Sequence, residues 1–108
     1  MYSIVTVVYG VPIRQAALDE VESLGIEPSD IGIITQYSGS GDEIPAYCGV
    51  ELSEFDEATD MALPISSIRH TPTSKEIAKA TAAVAALPSS VRKRIKDKLD
   101  TYYVFSTS

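Results

Sequence analysis

The stretch YSIVTVVYGV, residues 2–11, is strongly apolar within a chain of 108 residues. Valine and isoleucine occupy both of its alternations, which is typical of a strand that is buried on both faces. No basic segment precedes the stretch and it has no small-residue cleavage site, so the pattern indicates a strand and not a signal peptide. The sequence therefore predicts a buried first strand.

A helix is predicted directly after this strand. Pro12 suits the first turn of a helix, where its missing N–H is not needed. In IRQAALDEVESLG, residues 13–25, apolar side chains recur at helical spacing, and Gly25 can adopt the left-handed conformation that ends helices. The pattern therefore predicts one amphipathic helix with Pro12 in its first turn.

Two strands follow the helix and are predicted to form a hairpin. IGIITQY, residues 31–37, is rich in isoleucine, and AYCGVELSEF, residues 46–55, alternates between apolar and polar positions. The apolar face of the second strand is predicted to comprise Ala46, Cys48, Val50 and Leu52. The opposite face is predicted to be wet and to comprise Tyr47, Glu51 and Ser53.

The last third of the chain predicts two helices and a fourth strand. Thr73 and Glu76 have the T-x-x-E spacing of a capping box, which begins a helix that runs through Leu87. Pro88 begins a further helix, PSSVRKRIKDKL, and the segment TYYVFST, residues 101–107, consists of strong strand formers.

The order of the elements is therefore β-α-β-β-α-α-β. We predict an α+β fold in which residues 1–108 form a single domain with a four-stranded sheet and three helices. If the two late helices act as one crossover, the order matches the split β-α-β arrangement of ferredoxin-like folds. Because such folds support many functions, function has to be inferred from the residues that form a site.

Charge is distributed unevenly along the chain, which has a net charge of −6. Between Gln15 and Ile68 there are twelve acidic residues and no lysine or arginine, whereas from Met61 onward eight basic residues accompany three acidic ones. Such asymmetry bears on binding partners and on association more than on the fold.

The acidic half suggests a function for the protein. Its candidate partner-binding residues follow the third strand: Glu51, Glu54, Asp56, Glu57 and Asp60. If they share one face, their field speeds the encounter with a basic partner. We therefore predict a small non-catalytic binding protein, a regulator or inhibitor that acts through an acidic surface on a basic protein. The alternative is that the acids only confer solubility; their spacing does not match a calcium-binding loop.

A second candidate site is the stretch SSIRHTPTSKE, residues 66–76. Its candidate ligand-binding residues are Arg69, His70, Thr73, Ser74 and Lys75. They flank a predicted helix N-terminus, where free N–H groups and the helix dipole favour an anion such as a phosphorylated or nucleotide-like molecule. The alternative is that the capping box already uses these N–H groups, and no glycine-rich nucleotide motif precedes the helix.

An enzymatic function is not expected. Cys48 would need His70, the only histidine, as its base. Because Cys48 falls on the apolar alternation of its strand, a buried and inert thiol is the favoured interpretation. We therefore predict no catalytic residues, no metal and no cofactor. A single cysteine also allows no internal disulfide, which favours a cytoplasmic location.

The basic run VRKRIKDKL, residues 91–99, raises the question of nucleic-acid binding. The acidic balance of the whole chain disfavours direct nucleic-acid binding, and pairing with acids of the same or a neighbouring subunit is the preferred interpretation. We accordingly expect a homo-oligomer, most simply a homodimer, and an assembly module is the third functional alternative. No apolar run reaches the length of a membrane span.

Overall fold

The computed structural model of the protein describes residues 3–36, 46–56, 62 and 64–107. In these ranges the strands are β1 (Ser3–Pro12), β2 (Ile33–Thr35), β3 (Ala46–Asp56) and β4 (Asp100–Thr107). The α-helices are α1 (Gln15–Ser23), α2 (Ser74–Ala85) and α3 (Ser89–Arg92). Short 3-10 turns lie at Pro28–Ile31 and Ile65–Ser67.

The strands form one sheet in the order β2-β3-β1-β4, and every neighbouring pair is antiparallel. In the sequence, α1 connects β1 to β2, while α2 and α3 together connect β3 to β4. The predicted α+β class, with four strands and three helices in the order β-α-β-β-α-α-β, is confirmed. The strand order is compatible with a ferredoxin-like arrangement. No helix in the described part of the chain is long and apolar enough to cross a membrane.

The first strand is buried on both faces, as its sequence predicts. Val7 lies in the apolar cluster that includes Ala80 of α2. The next residue, Val8, points to the opposite side of the sheet and packs against Tyr47 and Val104. We term the side of Val7 the helix face of the sheet and the side of Val8 the far face.

The largest apolar cluster lies on the helix face, where α1 and α3 contribute Val21 and Val91. Cys48 is fully buried in this cluster, so the apolar face predicted for β3 is confirmed. The wet position predicted for Tyr47 is wrong. Its side chain is only 2% exposed because it packs against Val8 and Val104 on the far face.

A pair of glycines brings β1 and β3 unusually close together. Gly10 and Gly49 are directly opposite in the register of these strands. A Cβ atom on Gly10 would overlap the carbonyl oxygen of Cys48, and one on Gly49 would overlap the carbonyl oxygen of Tyr9. Because the obstructing atoms belong to the backbone, only glycine fits at either position.

The start of α1 differs from the prediction. Pro12 ends β1, where it lies opposite Tyr47, and the helix begins at Gln15. The N–H of Ile13 donates to the carbonyl of Ala46 at 2.9 Å, so pairing with β3 extends past Pro12 and holds this segment extended. The tertiary hydrogen bond outweighs the local preference of proline for a first helical turn.

Two other elements are shorter than predicted. The basic helix ends at Arg92, and the chain then turns through hydrogen bonds from the N–H groups of Arg94 and Ile95 to carbonyls three residues earlier. The second strand begins only at Ile33 because Gly32 adopts the left-handed conformation and ends the preceding 3-10 turn. The last residue predicted for this strand, Tyr37, lies outside the described residues.

Candidate functional site

The predicted partner-binding residues of β3 share the far face of the sheet. Val7 lies opposite Ser53, and Val8 lies opposite Glu51, so one extra residue of β3 forms a bulge between them. Residues three apart on a regular strand point to opposite faces, but the bulge returns Glu54 to the face of Glu51. Because of the bulge, both carboxylates lie on the far face of the sheet.

The register places two further carboxylates on the same face. Asp56 lies opposite Ile4 on β1, and Asp100 of β4 lies opposite Gly10. Ile4 and Gly10 are an even number of positions from Val8, so the carboxylates opposite them lie on the side of Val8. We term the set Glu51, Glu54, Asp56 and Asp100 the acidic sheet face.

The surroundings of these carboxylates differ. Glu51, Glu54 and Asp100 are exposed, whereas Asp56 is partly buried. The Asp100 carboxylate accepts a hydrogen bond from the N–H of Thr101 at 2.8 Å. Of the ion pairs between described residues, none involves Glu51 or Glu54. Two members of the predicted partner-binding set, Glu57 and Asp60, lie outside the described residues.

The buried phenol of Tyr47 is affected by the acidic sheet face. The pKa of Tyr47 is raised, mainly because the phenol is buried and additionally because of the negative charges of Glu51 and Glu54. This effect agrees with the register, since both carboxylates act on a side chain of the far face. The far face thus combines a buried centre of Val8, Tyr47 and Val104 with exposed carboxylates.

Sequence reasoning missed Asp100. In the chain it lies among basic residues, 44 positions beyond Asp56, and it was not grouped with the acids of the first half. Only the pairing of β4 with β1 places it on the acidic sheet face. The adjacency of the first and fourth strands that a ferredoxin-like order implies, combined with a register, is the signal that would have found it.

The second candidate site is organised around an ion pair between Arg69 and Glu76. Two guanidinium nitrogens of Arg69 donate to the two Glu76 carboxylate oxygens at 2.6 and 3.3 Å. The same carboxylate accepts the Thr73 N–H at 2.9 Å, and the Thr73 hydroxyl oxygen accepts the Glu76 N–H at 3.2 Å. The predicted capping box is therefore present, and it is extended by an arginine.

Electrostatics at the start of α2 follow from these bonds. The hydrogen bond from Arg69 and then the backbone N–H of Thr73 lower the pKa of Glu76 to about 2. In return, the carboxylate raises the pKa of Arg69. The helix N-terminus, which favours negative charge, therefore already holds a carboxylate of this chain.

His70 is oriented by contacts with the sheet. Its Nε2 atom lies 2.6 Å from the Tyr103 hydroxyl, and the Thr101 hydroxyl donates to the His70 carbonyl at 3.0 Å. The N–H of Arg69 donates to the Ser53 hydroxyl oxygen, also at 3.0 Å. These bonds attach the segment before α2 to β3 and β4.

The five predicted ligand-binding residues are thus only partly brought together. Arg69 and Thr73 both contact Glu76, His70 contacts Tyr103, and Ser74 and Lys75 are exposed in the first turn of α2. The anion-binding site stays a prediction. An anion at this position would compete with the Glu76 carboxylate for Arg69 and for the Thr73 N–H.

Cys48 has the properties of an inert thiol. Burial raises its pKa to about 11, which disfavours the thiolate needed for nucleophilic attack. Its side chain belongs to the cluster beneath α1 and α3, while the imidazole of His70 bonds to Tyr103. In the described ranges, histidine, cysteine and acidic side chains form no group of three that is placed to hold a metal ion.

The basic run after α3 makes ion pairs with the N-terminal part of the chain. Two guanidinium nitrogens of Arg14 donate to the Asp97 carboxylate at 2.9 and 3.2 Å. Arg94 lies 3.6 Å from the Glu20 carboxylate of α1. These ion pairs attach the basic run to α1 and to the residue before it, and they neutralise part of the charge of the run.

The chain was compared with protein-family models, with curated proteins and with solved structures, and none of the three comparisons found a match.

Proposed function

We propose that the protein is a small non-catalytic binding protein, a regulator or inhibitor, that binds a basic protein partner through the acidic sheet face. The observation that carries the proposal is the bulge in β3, which puts Glu51 and Glu54 on one side of the sheet. Glu54 lies opposite Thr6, and β3 is paired with β1 along its length. The backbone therefore fixes the spacing of the carboxylates.

Electrostatics support a partner of positive charge. Exposed carboxylates such as Glu51 and Glu54, which form no ion pair with another described residue, create a field that attracts cations over about 8 Å at physiological salt. Such a field increases the association rate with a basic surface and suppresses binding of acidic ones. A protein whose basic groove normally holds phosphate groups is a suitable target, because carboxylates can take the positions of phosphates.

The proposal is tested by neutralising the face. The variant Glu51→Gln, Glu54→Gln, Asp56→Asn removes three charges from the acidic sheet face. Its matched control, Glu22→Gln, Glu27→Gln, Asp30→Asn, removes three exposed charges from the α1 side of the molecule. Both variants keep the size and polarity of the side chains, so a difference between them reports the position of the charge and not its amount.

Binding of a fluorescent oligolysine peptide is measured at low and at physiological salt. At about 0.5 kcal/mol for each lost contact, the face variant should bind roughly tenfold more weakly than wild type, and the control should change little. Pull-downs with the same three proteins then identify basic proteins whose recovery depends on the face. If wild type, face variant and control bind equally, the carboxylates serve solubility and the proposal fails.

A further inference from the structure

The outer edge of β4 has no neighbour among the described strands. All eight residues of β4 pair with β1, from Thr107 opposite Ser3 to Asp100 opposite Gly10, without a break in register. In an antiparallel strand, alternate residues direct their N–H and C=O groups to opposite sides. The Thr101 N–H already donates to the Asp100 carboxylate, and beyond Thr101 the strand presents a row of backbone donors and acceptors outward.

Beyond Asp100, whose charge lies at the start of β4, this edge carries none of the sequence features that prevent strand pairing. From Thr101 to Thr107 the strand has no charge, no proline, no glycine and no bulge. At the opposite edge of the described sheet, β2 has only three residues, and it leaves β3 open beyond Cys48. That stretch contains the bulge and the carboxylates of Glu51 and Glu54, both of which oppose pairing. Of the two edges, β4 is the one suited to accept a strand.

Two aromatic side chains accompany the β4 edge. Tyr103 is 48% exposed and Phe105 is 51% exposed, and their rings pack edge to face with centroids 6.4 Å apart. Phe55 of β3 contacts Tyr103 in the same geometry at 6.5 Å. The apolar cluster at Ala80 of α2 includes Phe55 but neither β4 ring, so the aromatic surface continues beyond the helix toward the edge.

We propose that two copies of the chain pair antiparallel through their β4 strands, about a two-fold axis, and form one continuous eight-stranded sheet. A strand that meets itself across a two-fold axis is self-complementary, because each donor on one copy finds the equivalent acceptor on the other. Pairing also buries Tyr103 and Phe105 against the same residues of the second copy.

The aromatic side chains favour a second copy over an unrelated peptide. Tyr103 and Phe105 lie opposite Val7 and Val5, so both rings are on the helix face, on either side of Val104. A two-fold axis at Val104 places the Tyr103 ring of each chain beside the Phe105 ring of the other, and aromatic cross-strand pairs of this kind stabilise sheets. The segment from Thr101 to Thr107 is uncharged, so it adds no repulsion between the two copies.

The first test is the mass in solution at micromolar concentration and physiological salt. Wild type should have twice the mass of one chain, which is 11.6 kDa. Phe105→Lys places a charge on the β4 edge and should reduce the mass to that of one chain. The control Ile34→Lys alters a side chain of similar exposure, 44%, on the other edge strand and should leave the dimer intact. A wild-type monomer, or dissociation by the control alone, overturns the proposal.

Disulfide cross-linking tests the same strand pairing without placing a charge on β4 that could prevent folding. Tyr103→Cys and Phe105→Cys each place a thiol on the paired strand, and mild oxidation should link two chains in at least one of them. Cys48 does not compete, because burial raises its pKa to about 11. Ile34→Cys is the control, at a position that is 44% exposed on β2, the strand at the opposite edge of the sheet, and it should stay unlinked. Equal linkage of all three variants, or linkage of none, contradicts pairing through β4.

Discussion

The guanidinium of Arg69 and the carboxylate of Glu76 form a two-bond ion pair, with nitrogen–oxygen distances of 2.6 and 3.3 Å, across the start of α2. Glu76 also completes the capping box with Thr73, so one carboxylate holds both the helix start and the preceding segment. Because Arg69 is joined to Ser53 through its backbone N–H, the ion pair connects α2 to β3. Stability at low pH and anion binding at the start of α2 should therefore both depend on this ion pair.

Stability should fall at low pH partly because Glu76 becomes protonated. The pKa of Glu76 is about 2 in the folded protein against an ordinary 4.5, so ionisation stabilises the folded state above pH 4.5. This contribution is lost as the pH falls from 4.5 toward 2. Urea unfolding across that range should give a shallower pH dependence for Glu76→Gln than for wild type. Because the pair is exposed, the difference should be small, but identical slopes would contradict the assignment.

The same ion pair should control anion binding at the start of α2. In wild type, Glu76 occupies Arg69 and the Thr73 N–H, so inorganic phosphate should not raise the melting temperature. In Glu76→Gln the carboxylate charge is removed, so phosphate should bind at the start of α2 and raise the melting temperature of this variant. The double variant Arg69→Ala, Glu76→Gln is the control and should show no shift. A wild-type shift that Arg69→Ala abolishes would instead support the ligand site predicted from the sequence.

Replacement of Gly10 by alanine should destabilise the sheet. The added Cβ overlaps the carbonyl oxygen of Cys48 and the Cα of Gly49, and neither backbone atom can move without separating β1 from β3. We expect a loss of roughly 3 kcal/mol in the free energy of unfolding, at the upper end for overpacking. Gly25→Ala is the control: it has open space around it, and its positive φ of 68° costs only about 1 kcal/mol. Equal losses in urea unfolding would show that the close approach is not rigid.

Several features of the fold could be read from the sequence because they depend on neighbours in the chain. The capping box of α2 needs only Thr73 and Glu76 at the right spacing, and its bonds form within one helical turn. The burial of β1 on both faces follows from the branched apolar residues at successive positions. The β-α-β-β-α-α-β order follows from periodicity and turn residues, which are also local properties.

The composition of the acidic sheet face could not be predicted from local sequence patterns. The acids of β3 were visible as a cluster in the sequence, but regular alternation would put Glu51 and Glu54 on opposite faces. The bulge that reunites them arises from the pairing of β3 with β1, and no local signal in the segment marks it. Asp100 joins them only because β4 returns to β1 across the sheet.

By itself, the sequence determined the class of fold, the element order, the cap of α2 and the uneven distribution of charge, because propensity, spacing and composition act over a few residues. The tertiary structure alone decided the early end of α3, the extended path through Pro12 and the burial of Tyr47. It also decided which carboxylates share a face and left β4 at an edge of the sheet. These features depend on contacts between segments far apart in the chain, whose packing and hydrogen bonds outweigh local preferences.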